Sequence, residues 1–246
     1  MDEVYSKTEV GPLNGTPDKR LFWSIISDYD LKTGLCELVD NALDMWRSTG
    51  KKRPLKIEIS LDLIRQLISV KDNAGGVKQS ELHLLLSPGG SRNDPGAEII
   101  GIFGVGSKRA GVALGEEVRI RTRFRNEQTY EIDIPKEWLE SPSWEMAYYR
   151  VPSIANGTTI VEFSHLRKPF DDSDVQSIKE HLSEAYGWFL ENGCQILLGP
   201  TEIKARSFKS WSYPSKFLPR EVAFNADFKS DGKLSVLVTG RANRGS

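Results

Sequence analysis

The chain has 246 residues, 39% hydrophobic and 27% charged, a composition typical of a globular protein with one large or two small domains. Its 33 Lys and Arg residues nearly balance 34 Asp and Glu residues, so no net field drives it onto nucleic acid or anionic membranes. Two cysteines and three scattered histidines form no disulfide framework or zinc-ligand pattern, and no apolar run predicts a signal peptide or membrane span. We therefore expect an intracellular, cytoplasmic protein.

The N-terminal half is predicted to begin with helices. Residues 1–20 are polar and rich in Gly and Pro, which predicts an N-terminal arm. A short helix is predicted at 18–27, and apolar residues at steps of three and four predict a longer helix at 31–49. The further elements predicted up to residue 115 are strands at 55–63 and 66–72, a helix at 79–87, a Gly/Pro loop at 88–96 and a Gly-rich turn leading into a helix at 101–115.

The C-terminal half is predicted to be mainly antiparallel strands followed by a second unit. The strands predicted before this unit are 117–124 and 128–134 as a hairpin, then 146–151 and 158–163. After Pro169, a helix is predicted at 171–193, capped by Asp172 or Ser173, followed by strands at 195–198, 202–206, 221–228 and 233–239. This order predicts a layered α+β domain rather than repeated βαβ units.

The helix at 31–49 carries four polar side chains of interest: Glu37, Asp40, Asn41 and Asp44. Helical spacing places Glu37, Asn41 and Asp44 on one narrow face opposite the apolar stripe. Such a face is commonly only solvated. The alternative is a divalent-metal and general-base site, since an amide oxygen suits Mg²⁺ and a carboxylate one turn away can orient a water molecule.

Two glycine-bearing segments follow predicted strands or begin helices. Asp72 ends a strand and precedes Gly75 and Gly76, which indicates either a plain turn or a carboxylate that accepts a hydrogen bond from an exocyclic amine. The segment with Gly101, Gly104, Gly106 and Lys108 has a glycine spacing of the phosphate-loop pattern, but its Ser and Lys are transposed. It remains either a structural turn or a phosphate-binding helix N-terminus.

The order of these segments carries more information than any one of them. ELVDNALD, DNAGGV, GIFGVGSK and, after Gly157, TTI resemble the four ATP-site motifs of the GHKL superfamily, the group of DNA gyrase B, the large heat-shock chaperone, histidine kinases and MutL. The chaperone, MutL and microrchidia-type branch is the most similar. The resemblance covers about residues 20–165. It implies a Bergerat-type α/β sandwich, a mixed β-sheet covered by helices, followed by the start of a second, transducer-like α/β domain.

The resemblance also implies roles for individual residues. Glu37 would be the general base, Asn41 would hold Mg²⁺, Asp72 would read the adenine amino group beside Gly76, and Thr158 would support the hydrogen bonds around adenine. The further positions implied to bind phosphate are Gly101, Gly104, Gly106 and Lys108, and the implied lid is 84–100. The chain departs from the family at Ala74, where a glycine is usual, and a methyl group is tolerated there if φ is negative. A second-domain lysine that reaches the γ-phosphate would be Lys204, Lys209 or Lys216.

The predicted organisation is an arm at 1–20, an ATP-binding domain at 21–168 and a second, truncated domain at 169–246. The resemblance implies Mg²⁺-dependent ATP hydrolysis that drives lid closure and ATP-gated homodimerisation, with a nucleic acid or protein client bound through regions outside this chain. The alternatives are a nucleotide-switched dimerisation module with little turnover and a scaffold with an empty pocket.

Other features are predicted to be structural. Arg119, Arg121, Arg123 and Arg125 share a strand face, which indicates a nucleic-acid stripe or, more simply, cross-strand ion pairs that join Arg123 to Glu131 and Arg121 to Asp133. The tryptophans predicted to be core or domain-contact residues are Trp138, Trp144, Trp188 and Trp211. Cys36 is predicted to be buried and inert.

Overall fold

A computed structural model describes residues 11, 19, 30–50, 53–86 and 113–206, and the backbone of 221–230 and 234–243. The chain divides into two compact units, Met1–Ala205 and Arg206–Ser246. The predicted helix at 18–27, apart from Lys19, lies outside the described residues, as do the Gly/Pro loop at 88–96 and the glycine segment at 101–112. None of the helices within the described ranges is long and apolar enough to cross a membrane.

The first unit contains four α-helices, one 3₁₀ helix and eight strands within its described residues. The helices are α1 (Leu31–Ser48), α2 (Lys136–Glu140), α3 (Asp172–Ala185) and α4 (Gly187–Glu191), and the 3₁₀ helix is Gln79–Leu85. The strands are β1 (Leu55–Asp62), β2 (Leu67–Asp72), β3 (Gly115–Arg123), β4 (Thr129–Ile134), β5 (Tyr149–Val151), β6 (Thr158–Leu166), β7 (Cys194–Leu198) and β8 (Thr201–Glu202).

Helix α1 forms because its sequence supplies both a cap and a continuous apolar face. The Asp30 side chain accepts a hydrogen bond from the Thr33 backbone N–H at 2.7 Å, which satisfies an amide that has no partner within the helix. Leu35 lies on the stripe that the periodicity predicted and is fully buried, and Leu43 beside that stripe is also fully buried. Burial of each such side chain contributes about 1.5–3 kcal/mol. The predicted helix is confirmed.

All eight strands form one mixed sheet in the order β5-β4-β3-β6-β2-β1-β7-β8. The β1/β7 pair is parallel and every other neighbouring pair is antiparallel. Alternate strand residues such as Ile59, Val70 and Phe163 share one core with α1 and α3. The prediction of a layered α+β fold with a mixed sheet covered by helices is confirmed.

The structure differs from the predicted domain boundary at residue 169. Strand β7 pairs with β1 inside the main sheet, and Ile178 and Leu182 of α3 belong to the main core. The first compact unit therefore extends to Ala205. Sequence periodicity could not give this result, because it does not indicate which strand a later strand will join.

The predicted helix at 171–193 is two helices, α3 and α4, which meet at Tyr186. Its cap is neither Asp172 nor Ser173. The Asp171 carboxylate accepts hydrogen bonds from the backbone N–H groups of Ser173 and Asp174, and Asp174 bonds back to the Asp171 N–H. This capping box was missed because several neighbouring residues can cap a helix equally well in sequence.

Other short elements also differ from prediction. The predicted helix at 79–87 is a 3₁₀ helix that ends at Leu85, and the strand beginning at Gly115 includes a residue assigned to the preceding helix. Helix α2 was not predicted. The prediction of a core position is wrong for Trp188, which is 61% exposed, whereas Trp138 is buried and Trp211 lies outside the described residues.

Two of the four arginines, Arg119 and Arg121, form ion pairs with cross-strand carboxylates, although the register differs from prediction. The predicted pair of Arg123 with Glu131 is wrong, because Arg123 donates to the carbonyl oxygens of Glu127 and Ile154. Arg119 lies opposite Asp133 and bonds it at 2.7 Å, while Arg121 lies opposite Glu131 and bonds Glu162 on β6 at 2.6 Å. The pairing is displaced by two residues because it is centred on Asn126, whereas the predicted pairs are centred on Glu127. The ion pairs favour the structural interpretation over a nucleic-acid stripe.

The second unit contains, within its described residues, the strands β9 (Glu221–Ser230) and β10 (Leu234–Asn243). They pair antiparallel over their full length, from Leu234 opposite Ser230 to Asn243 opposite Glu221. The strands predicted at 221–228 and 233–239 are therefore present, and both are longer than predicted.

Candidate functional site

Glu37 and Asn41 lie one turn apart on α1, as their spacing predicted. Glu37 is half-buried and Asn41 is exposed. The Asn41 Nδ2 group donates a hydrogen bond to the Glu37 carbonyl oxygen at 2.6 Å. This bond fixes which end of the amide faces the helix, because only the nitrogen can donate, and it leaves Oδ1 as the ligand atom. The arrangement therefore offers an amide oxygen and a carboxylate from adjacent turns.

The neighbouring residue Asp40 lies on another side of α1, against the α3–α4 junction. The Tyr186 hydroxyl is 2.9 Å from Asp40 Oδ1 and 3.1 Å from the Cys36 carbonyl oxygen. Burial raises the pKa of Asp40 to about 6, and the hydrogen bond from Tyr186 opposes this shift. These contacts attach α1 to the α3–α4 junction through a side of the helix other than the one that carries Glu37 and Asn41.

Asp72 ends β2 on the face of the sheet that packs against α1. In the register it lies opposite Ile57 of β1 and Thr159 of β6, and Ile57 is part of the shared core. Directly opposed residues of antiparallel strands point to the same face. Asp72 thus lies where the apolar part of the inner face ends.

The Asp72 carboxylate is held by its own loop. Its Oδ1 accepts a hydrogen bond from the Ala74 backbone N–H at 2.8 Å. Burial raises the pKa of Asp72 to about 7, while this hydrogen bond and the positive charge of Arg53 act in the opposite direction. A carboxylate whose pKa lies this close to neutrality is typical of a functional site.

Thr158 and Thr159 point to opposite faces of β6. Thr159 is the residue opposite Asp72, whereas Thr158 lies opposite Arg123, one step along the strand. The Thr159 hydroxyl is 3.1 Å from the hydroxyl of Thr122, which accepts a hydrogen bond from the Val77 N–H at 2.8 Å. The hydroxyls on the same face as Asp72 therefore belong to Thr159 and Thr122, while Thr158 is buried elsewhere.

The loop after Asp72 uses its two glycines in different ways. At Gly76, which has φ +70°, a Cβ atom would overlap the carbonyl oxygen of Arg123, so the position excludes every side chain. Gly75 instead faces α1, where a Cβ would lie 3.3 Å from Thr49 Cγ2 and 3.5 Å from Met45 Cγ. This close approach brings the motif after β2 against the helix that carries Glu37.

Ala74 fits its position because it lies outside the positive-φ region, as the sequence argument required. The non-glycine residues with positive φ among those described are Gln66, Arg125 and His165. The Ala74 methyl group is buried in the main core with α1 side chains. The alanine therefore replaces the usual glycine without backbone strain.

Arg53 joins the loop after Asp72 to the turn that precedes β6. Its guanidinium donates to the carbonyl oxygens of Asn73, Gly157 and Asn156, the last two at 3.1 and 3.3 Å. Gly157 has φ +69°, and a Cβ there would overlap the guanidinium. The Gly75 N–H also donates to the Gly157 carbonyl at 3.0 Å. Arg53 and Gly157 thus connect the loop after Asp72 to the turn before β6, two motifs that are far apart in sequence.

An open pocket of about 720 Å³ lies at this junction. The described residues that line it are Met45, Ser48, Thr49, Arg53, Ala74, Gly75, Lys78, Glu81, Phe124, Arg125, Asn156 and Gly157. Apolar atoms come from Met45 and Phe124, and cationic side chains come from Arg53, Lys78 and Arg125. A pocket with apolar walls and a few polar groups is the usual form of a small-molecule site.

The donor set of the described residues fits Mg²⁺ better than a transition metal. They contain no group of three or more His, Cys, Asp or Glu side chains that could hold a metal ion. Mg²⁺ is commonly bound by one or two protein oxygens and keeps water and substrate phosphates as its other ligands. Asn41 Oδ1 on the accessible face of α1 meets that requirement.

Several predicted phosphate-binding residues have no described position. Gly101, Gly104, Gly106 and Lys108 lie outside the described residues, as does most of the predicted lid. Of the candidate second-domain lysines, Lys204 pairs with Glu202 at 2.7 Å on an exposed surface. Lys209 and Lys216 lie outside the described residues.

Sequence reasoning missed Arg53, Thr122 and Thr159 as parts of this site. No local motif marks Arg53, since its partners are backbone carbonyls from loops distant in sequence. The strand register identifies Thr122 and Thr159. Alternation within β6 could have separated Thr158 from Thr159, but only once the strand opposite was known.

Comparisons with known proteins agree with the fold. The sequence model of the family described as histidine kinase-, DNA gyrase B-, and HSP90-like ATPase matches residues 29–165, more than half of the chain. The ATPase region of Saccharomyces cerevisiae topoisomerase II, solved bound to ICRF-187 (dexrazoxane), has a similar fold, with a TM-score of 0.55 and 18% sequence identity. The match covers 73% of this chain and 50% of that one, so this chain spans about half its length. No curated protein sequence matches.

Proposed function

Because the chain belongs to the histidine kinase-, DNA gyrase B- and HSP90-like ATPase family, we propose that it binds ATP with Mg²⁺ and hydrolyses the γ-phosphate. The observation that carries this proposal is the pairing of Glu37 with Asn41 on α1, on the sheet face that presents Asp72. Asp72 accepts a hydrogen bond from the adenine amino group, and Thr159, rather than Thr158, supports the contacts beside it. The contact of Gly75 with α1 supports the proximity of Asp72 to the helix that carries Glu37 and Asn41.

In this proposal Asn41 Oδ1 is the protein ligand of Mg²⁺. The ion, when bound, neutralises charge on the phosphate oxygens. Glu37 removes a proton from the water molecule whose oxygen bonds to the γ-phosphorus as the bond to the bridging oxygen of ADP breaks. The segment with Gly101, Gly104, Gly106 and Lys108 supplies the phosphate contacts. ATP binding closes the lid and promotes assembly of two copies of the chain.

The roles of Glu37 and Asp72 are separable by experiment. We expect Glu37→Ala to remove steady-state phosphate release while ATP affinity, measured by titration calorimetry, stays within about threefold of the wild type. Asp72→Asn should weaken ATP binding itself, by about 10-fold or more, because a buried acceptor is replaced by a group that also donates. Glu145→Ala, which changes an exposed glutamate on the loop before β5, is the matched control.

Two results would contradict the proposal in different ways. Equal loss of binding in Glu37→Ala and Asp72→Asn would overturn the division of roles. Wild-type ATP binding with phosphate release no faster than in Glu37→Ala would instead identify a nucleotide-switched module without turnover. A scaffold with an empty pocket would show no increase in Tm with magnesium and ATP, since a ligand that binds only the folded state raises its stability.

A further inference from the structure

Two tryptophans after β4, neither of which lines the pocket described above, form a right-angled pair. The ring of Trp138, on α2, and the ring of Trp144, on the following loop, have centroids 5.6 Å apart and planes at 85°. Trp138 is 8% exposed, and the group is packed by Leu86, Ile134 and Met146. Packing therefore holds two aromatic faces at a fixed angle.

The ammonium group of Lys19 lies against both rings. Its Nζ is 3.7 Å from the centroid of the Trp138 ring and 5.4 Å from that of Trp144. It also donates hydrogen bonds to the carbonyl oxygen of Trp138, at 2.7 Å, and to that of Ser143. Lys19 is only 3% exposed, although lysine is rarely buried without a compensating partner.

These contacts replace part of the hydration of the ammonium group, and no carboxylate of the described residues pairs with it. Two N–H bonds point to carbonyl dipoles, and the electron-rich ring faces attract the positive charge. Burial lowers the pKa of Lys19 below its ordinary value, which reflects the cost of removing the charge from water. The Trp138 indole N–H has no hydrogen-bond partner among the described residues. Leaving a buried N–H without a partner is costly. The orientation of the ring is therefore set by its contact with the ammonium group rather than by a hydrogen bond from its own N–H.

We propose that Trp138, Trp144 and the two carbonyl oxygens form a binding site for a primary ammonium group, and that Lys19 of the same chain occupies it. The contact joins residues 119 positions apart, so it anchors Lys19 beside α2. The class of ligand follows from the geometry. A primary ammonium can donate to both carbonyls, whereas a quaternary ammonium has no N–H to donate. Occupation of this site by Lys19 does not require a bound nucleotide.

Chemical rescue tests this assignment in the full chain. Lys19→Ala should lower Tm and empty the site, and n-butylammonium chloride should then raise the Tm of this variant in a saturable manner. It should have no more effect on the wild type than sodium chloride at equal ionic strength, because Lys19 already fills the site. Lys19→Ala combined with Trp144→Ala should lose the rescue, and tetramethylammonium should rescue Lys19→Ala less than n-butylammonium does.

A second measurement keeps the test decisive if Lys19→Ala folds poorly. Lys19→Met retains the aliphatic side chain, and the indole N–H signals of Trp138 and Trp144, assigned with single Trp→Phe variants, should shift relative to the wild type. Unchanged Tm and indole signals in the Lys19 variants, or equal effects of n-butylammonium and sodium chloride, would overturn the ammonium site.

Mixing distinguishes contacts within one chain from contacts between copies. A mixture of Lys19→Ala and Trp144→Ala should melt as the sum of its two components. Restoration of wild-type stability in the mixture would overturn the assignment to one chain and identify Lys19 of a second copy as the occupant. Neither result depends on ATP binding, so this test stands apart from that of the proposed function.

Discussion

At the scale of single residues, Asp72 combines burial with a proposed role that needs a negative charge. Its pKa is raised to about 7 by burial, while the Ala74 N–H and Arg53 limit the shift. An ionised carboxylate accepts a hydrogen bond from an adenine amino group more strongly than a protonated one does. Near neutral pH, the unliganded site therefore holds a mixture of charged and neutral Asp72.

This mixture predicts a pH-dependent affinity for ATP. Below pH 7 the association constant should fall by up to about tenfold per pH unit, because binding requires loss of one proton from Asp72. Above pH 7 it should become constant. Titration calorimetry from pH 5.5 to 8 measures this profile. Asp72→Asn should bind weakly with a flatter profile, and Asp133→Asn, which changes an exposed ion pair, should keep the wild-type slope.

The effect of the same group on stability has the opposite direction. A carboxyl group whose pKa is higher in the folded than in the unfolded state stabilises the fold below its ordinary pKa of 3.8. That contribution is lost as the pH rises through about 7. For the binding prediction, a decrease of ATP affinity at low pH that is the same in the wild type and in Asp72→Asn would assign the titration to another group.

Sequence reasoning reached some residues of the site and not others for a physical reason. Glu37 and Asn41 were predicted to share a face because helical geometry fixes the relation between residues four apart. Thr159 and Arg53 depend on which strand and which loop lie opposite. Those relations are set by long-range packing, so one local motif led to Thr158 and nothing led to Arg53.

At the scale of elements, two glycines with nearly the same backbone conformation differ in their surroundings. Gly50 follows α1 with φ +75° and would have no atom within 4 Å of an added Cβ. Gly76 has φ +70°, but its added Cβ would overlap the Arg123 carbonyl oxygen at the end of β3. The pair separates the intrinsic cost of positive φ from the cost of displacing a strand.

We predict that Gly50→Ala lowers the free energy of unfolding by about 1–2 kcal/mol, the cost of an L-residue in the left-handed region. Gly76→Ala should cost more, by at least about 2 kcal/mol beyond the control, because the loop must move away from β3. Urea denaturation of the two variants measures the difference. Equal costs would mean that the close approach to Arg123 does not constrain the loop.

Elements with a strong local signal were predictable, and those defined by distant contacts were not. The apolar stripe of α1 and the alternation of β1 follow from helical and strand periodicity. The break between α3 and α4 at Tyr186 is marked in the sequence by Gly187 alone, and a single glycine is also tolerated inside a helix. The Tyr186 hydroxyl bonds to Asp40 and Cys36, so the position of the break reflects packing onto α1.

At the scale of the whole molecule, the first unit uses residues from both sides of the predicted domain boundary. The parallel pairing of β7 with β1 and the docking of Tyr186 on α1 connect residues after 169 to the helix that carries Glu37. Helices α1, α3 and α4 therefore pack within one unit. This connection is absent from the local motifs, which end before α3 begins.

The proposed assembly of two copies is a prediction about the whole chain. If ATP promotes dimerisation, dimerisation must raise ATP affinity by the same factor, because the coupling free energy is reciprocal. Sedimentation velocity should give a monomer without nucleotide and a dimer with magnesium and a non-hydrolysable ATP analogue. Glu37→Ala should dimerise with ATP itself, since it retains ATP without turnover, whereas Asp72→Asn should stay monomeric at the same concentrations.

Calorimetry at rising protein concentration supplies the reciprocal measurement. The apparent affinity of the wild type for the analogue should increase as the chain concentration passes through the dimer dissociation constant. A monomer with concentration-independent affinity would contradict ATP-gated assembly while leaving hydrolysis by Glu37 intact. A dimer that forms equally well without nucleotide would contradict the gating alone, because a ligand with no preference for one state cannot shift the equilibrium between them.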